Sequence, residues 1–103
     1  MDMSVISIES LANNFSQKLI SLGFYKGSLR HFNPYQSSGV LQSSREVLGL
    51  VLQGELLIEF SNSQWVIDMS TEFFLPPNVY FQATAGEQGA HFLFARQRIR
   101  LNS

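Results

Sequence analysis

Few side chains in this sequence could do acid–base or metal chemistry: His31 and His91, and the carboxylates Glu46, Glu55, Glu59, Asp68, Glu72 and Glu87. A bound metal ion usually takes three or four protein ligands at fixed distances. Two histidines reach that number only with a carboxylate from a distant strand, and Glu46 is the candidate. His31 and His91 otherwise read as hydrogen-bonded structural or surface histidines. Carboxylates act as general acids and bases when held against a substrate proton, whereas most of these fall at turns or on the polar phase of a strand, where water solvates them. Ser37, Ser38, Ser43 and Ser44 lack a Gly-x-Ser-x-Gly elbow and a base held against them, so they read as loop chemistry. "GEQG" (86–89) has no following lysine and helix and is not a phosphate loop.

Arg96, Arg98 and Arg100 alternate at the end of the chain and would share one face of a continuing strand. With 7 basic against 8 acidic residues and no aromatic interleaving, they read as a solubilising edge that deters strand addition rather than as a nucleic-acid stripe. No nucleic-acid or membrane partner is expected. The absence of cysteine removes thiol nucleophiles, thiolate metal sites and disulfides, and it is compatible with a reducing compartment. "MDMSVISIES" has an acid where a secretory signal carries lysine or arginine, and "VLGLVL" (47–52) is far shorter than a membrane span. A cytoplasmic protein is the expectation.

The elements that must position these groups follow from periodicity. A chain of 103 residues, 45% hydrophobic and 15% charged, suits a single domain with a full core. From Ser7 to Leu22, Ile8, Leu11, Ala12, Phe15, Leu19 and Ile20 recur at helical spacing, with Ser7 as N-cap and Gly23 placed to end the helix. After Gly23 the period becomes two. "FYKGSLRHF" (24–32) reads as a strand and "NPYQSSG" (33–39) as a loop. "REVLGLVLQGELLIEF" (45–60) reads as two strands or one bent strand broken near Gln53-Gly54. "SNSQ" (61–64) is a turn, and "TEFFLPPNVYFQA" supplies strand, Pro-Pro turn and strand. "TAGEQGA" is a loop before a last strand, "HFLFARQRI". Strands of this length joined by short turns predict an antiparallel all-β sandwich or barrel carrying one N-terminal helix.

The run "VLQGELLIEF", a turn, "WVIDMSTEFFLPPNVYF" and a final "HFLFA" resembles the conserved barrel of the cupin superfamily over about residues 40 to 96. Gly54-Glu55 matches the family's first closing turn, and Pro76-Pro77-Asn78 is a near match to its Pro-x-Gly turn. The resemblance implies a double-stranded β-helix, or jelly roll. It also implies, in metal-dependent members, two histidines one residue apart and a glutamate before the first turn, with a third histidine after the second. In this chain the glutamate place falls on Val47, and the histidine pair on Leu41 and Ser43, or on Val40 and Gln42. The third histidine place is Phe81. None of the four ligands is present, and no metal or other cofactor is expected. Glu46 lies one residue from the glutamate place, and in a strand that offset turns a side chain to the opposite face unless a bulge resets the register.

The aromatic residues Trp65, Phe73, Phe74, Tyr80, Phe81, Phe92 and Phe94 read either as a packed core or as the wall of a pocket for an apolar or aromatic ligand. On the family's inward phase Val47, Val51, Phe81 and Ala83 would floor that pocket, with His91 reaching it in one of its two registers. The opposite phase puts Leu48, Leu50 and Leu52 outside, where the helix or a second subunit must cover them; both in part, in a twofold homodimer, is the expectation. Three functions follow. The first is a metal-free, non-catalytic domain that binds a small apolar or aromatic molecule or serves as a sensor or accessory domain. The second is a structural dimerisation module with a filled barrel. The third is a cupin-type isomerase or dioxygenase using His31, His91 or Glu46.

Overall fold

The computed structural model describes residues 7–98; the first six residues and Arg100 lie outside them. Helix α1 (Ile8–Ser21) is followed by strands β1 (Ser28–Phe32), β2 (Ser37–Gln42), β3 (Val47–Phe60), β4 (Ser63–Ile67), β5 (Glu72–Leu75) and β6 (Tyr80–Arg96). The helix begins where expected, because Ser7 Oγ accepts the Ser10 N–H at 3.0 Å and Glu9 lies in the first turn. It ends where Gly23 takes a φ of 81°, which a side chain would resist.

Every strand pairing is antiparallel, and two long strands organise the rest. Residues 47–51 of β3 pair with 92–96 of β6, flanked by β5 on one side and β1 on the other. Beyond a bend, residues 56–60 of β3 pair with 81–85 of β6, flanked by β4 and β2. The two halves form two layers with a shared interior. "REVLGLVLQGELLIEF" is thus one bent strand from Val47 onward, with register shifts between Val51 and Gln53 and between Gly54 and Leu56. The bend depends on close backbone approach: Gly54 and Gly89 have φ of 73° and 76°, and a Cβ on Gly54 would run into the Gly89 carbonyl oxygen.

Two expected loops turn out to be strand. "TAGEQGA" lies within β6, and β2 begins at Ser37, inside the segment read as loop. Their glycines and serines suggest turns, but partners on β3 and β6 hold them in ladders, and the irregularity survives as bulges between Ser37 and Val40 and in β3 opposite 85–90. The bend flips the alternation of β6. Before it Phe81, Ala83 and Ala85 join the interior cluster; after it Ala90, Phe92 and Phe94 do.

The apolar residues divide into two clusters. Val51, Leu56, Ile58, Phe73, Leu75 and Phe92 meet between the layers. Outside, Phe15 and Leu19 of α1 pack on Leu48, Leu50, Leu52 and Leu93. The helix, together with Phe24, packs on the three outer leucines, each of which is no more than 8% exposed within the single chain. They require no second subunit to keep them dry. Lys18 Nζ meets Glu72 Oε1 at 2.6 Å and ties the helix to β5 on the wet side. Among the described residues no helix is long and apolar enough to cross a membrane.

Candidate functional site

Between the layers lies a cavity of about 470 Å³. Its floor is apolar: Val47, Leu56 and Ile58 from β3, Phe73 and Leu75 from β5, and Phe92 from β6. Phe81 and Ala83 of β6 complete that wall. Along β2 the lining turns polar, with Gln36, Ser37, Ser38, Gln42 and Ser43 beside the apolar Leu41. Phe81 also borders a more open depression with Val40, Phe60 and Tyr80, so it lines two recesses and does not fill the one between the layers.

The Pro-Pro turn brings β2 and β6 together at this cavity. Asn78 adopts a φ of 66°, its N–H donates to the Ser43 carbonyl at 2.7 Å, and its own carbonyl accepts from Gln42 Nε2 at 3.3 Å. Phe81 then pairs directly with Leu41. Asn78 thus fills the place that glycine holds in the family pattern, at the same left-handed backbone.

Leu41, Ser43, Val47 and Phe81 all line the one cavity, so the four positions that the resemblance assigns to a metal in metal-dependent cupins converge here. The alternative pair does not fit as well, because Val40 faces the open depression. The donor set offered by the four converging residues is a single hydroxyl, and among the described residues no imidazole or carboxylate lines the cavity. Iron, manganese, nickel and zinc sites are built from those groups, so the residues present do not fit a resident metal ion. Glu46 does not repair the set: the bulges of β3 lie downstream of Val51, leaving Glu46 in the phase opposite to buried Val47.

Two expected lining residues are placed elsewhere. Val51 is fully buried in the interior cluster, in register with Phe92, and does not border the cavity. His91 does not border it either, because the flip in β6 turns Ala90 and Phe92 inward and leaves His91 on the other phase. There it lies opposite His31 of β1, the two imidazoles stacked with centroids 4.3 Å apart. The histidines therefore do converge, but among the described residues no third histidine or carboxylate joins them as a metal-binding group.

The aromatic residues likewise split. Phe73 and Phe92 are buried and Phe81 and Phe94 half-buried, whereas Phe74 and Tyr80 are exposed on the outer phase. Trp65 meets Phe60 edge to face at 4.6 Å. The sequence reading does not assign the two charged lining residues to the cavity: Arg30, on the inward phase of β1 with Phe32, and Arg96, which it gives to a solubilising edge. The alternation Arg30–Phe32 in "SLRHF" is the signal that could have found the first.

No protein-family model matches the sequence, and no curated protein matches it. Solved structures do. A cupin superfamily protein from Desulfitobacterium hafniense superposes with a TM-score of 0.66 at 22% identity, over 72% of this chain and 67% of that one. A predicted oxalate decarboxylase from Thermotoga maritima gives 0.64 at 14% identity, over 82% and 75%. The cupin domain of Cnp3 from Schizosaccharomyces pombe gives 0.65 at 13% identity, over 75% and 54%. Identities this low speak to the fold alone. The bent β3–β6 pair, the two layers it joins and the cavity between them are those of a cupin barrel, and this chain has the cupin fold.

Proposed function

We propose that the protein is a non-catalytic, metal-free binding domain that holds a small apolar or aromatic molecule in its barrel, as a sensor or accessory domain of the cytoplasm. One observation carries the reading: the family's ligand positions open onto a cavity of about 470 Å³ whose floor is hydrocarbon and whose lining holds no imidazole or carboxylate. That volume lies in the range of small-molecule sites, about 300–1,000 Å³. It argues against a barrel filled with its own side chains. The enzyme reading loses its residues, since His31, His91 and Glu46 stand outside the cavity. The cysteine-free sequence is compatible with a reducing compartment.

Thermal unfolding across a panel of small aromatic and aliphatic compounds tests the proposal. A ligand at 100 times its Kd adds about 2.7 kcal/mol to stability, a rise of several degrees in Tm. A panel with no such rise overturns the reading. Homodimerisation is a separate proposal. It no longer rests on the three leucines but on Val40, Val66 and Tyr80, each more than 60% exposed on the outer phase of β2, β4 and β6.

A further inference from the structure

Among the described residues the charged side chains that line the cavity are two arginines, Arg30 and Arg96, and no acid lines it with them. Both follow the inward phase after the bend. Arg30 pairs with Phe92 across β1 and β6, and its guanidinium carbon lies 5.5 Å from the centroid of the Phe94 ring. Arg96 lies two residues beyond Phe94 on the same strand and pairs with Val47, a residue of the apolar floor. Among the described residues neither arginine forms a salt bridge. The contrast with the other arginines is informative: Arg45 and Arg98 pack over the ring of Tyr25 and do not line the cavity.

A cavity with a hydrocarbon floor, cations at its edge and hydroxyl and amide groups along one wall is unsuited to a neutral hydrocarbon alone. Guanidinium presents a planar fork of N–H donors that matches a carboxylate with two parallel hydrogen bonds. The apolar floor takes the body of the same molecule. Resting on the binding function proposed above, we infer that the ligand is a small apolar or aromatic monocarboxylate, its ring or chain on the floor and its carboxylate against Arg30 and Arg96.

The test compares acids with their uncharged amides. Calorimetry is run with 3-phenylpropionate, indole-3-acetate and octanoate, and with the three corresponding primary amides, on the wild type and on Arg30→Gln/Arg96→Gln. Both arginines are exposed, so the double variant should fold, and circular dichroism checks that it does. The expected result is at least tenfold tighter binding of one acid over its amide in the wild type. That preference shrinks in high salt and is lost in the double variant, which still binds the amide. Arg30→Lys/Arg96→Lys, which keeps charge without the fork, should recover only part of it. Equal binding of acid and amide by the wild type overturns the carboxylate inference and leaves the cavity's binding function standing. Binding of neither overturns both.

Discussion

Replacing Leu19 by alanine tests how the outer leucines are kept from water. Leu19 is completely buried between α1 and the sheet, and its Cδ1 lies over Gly27, where a Cβ would stand only 3.2 Å away. Alanine removes three carbons, worth roughly 2.4 kcal/mol at about 0.8 kcal/mol per buried methylene. The space left behind cannot close easily, because one of its walls is the backbone at Gly27. Cavity cost brings the expected loss to about 3–4 kcal/mol. For a domain of this size that is a fall in Tm of roughly 12–25 °C. Urea unfolding followed by tryptophan fluorescence of Trp65 and by circular dichroism measures it, with Ile20→Ala as control. Ile20 is 73% exposed one residue away on the wet face, and its replacement should cost less than about 0.5 kcal/mol. If Leu19→Ala costs less than about 1 kcal/mol, or no more than the control, the helix is not what covers Leu48, Leu50 and Leu52.

Gly54→Ala should cost more than a strand glycine normally does, about 2 kcal/mol or above, because it adds a clash with the Gly89 carbonyl to a positive φ; chemical denaturation reads it. Leu41→His/Ser43→His/Phe81→His places three imidazoles around one cavity and should create divalent-metal binding, detectable by zinc calorimetry, where the wild type should give none at this site. Lys18→Ala should change stability by less than about 1 kcal/mol despite the 2.6 Å ion pair, since both partners are exposed. Light scattering at tens of micromolar should give twice the chain mass if Val40, Val66 and Tyr80 bury a second copy, and Val66→Lys should return it to the monomer.

What was legible in the sequence was periodicity with an anchor. Helix α1 carries both of its end signals, Ser7 and Gly23, and the alternation around Val47 and Leu48 assigns inside and outside correctly. The phase of His91 was not legible because strand alternation is counted forward from a reference. A bulge adds one residue to the count without changing composition. The segment 84–90 looked like a loop for the reason that makes it a bend: Gly86 and Gly89 permit backbone geometry that a regular strand lacks. Arg30 and Arg96 were hidden for a related reason. Each is exposed by area, yet it borders an interior space that exists only once β1, β3 and β6 are paired across long separations.

Because β3 and β6 each run through both layers, the barrel cannot open like a shell. Parting the layers would break the same ladder on both sides of the Gly54–Gly89 contact. β2 is different: its ladder is to β6, it is irregular between Ser37 and Val40, and its residues form the polar wall of the cavity. The β3–β6 spine therefore governs how long the fold survives, while changes in β2 should alter the cavity's polar wall with little effect on the spine.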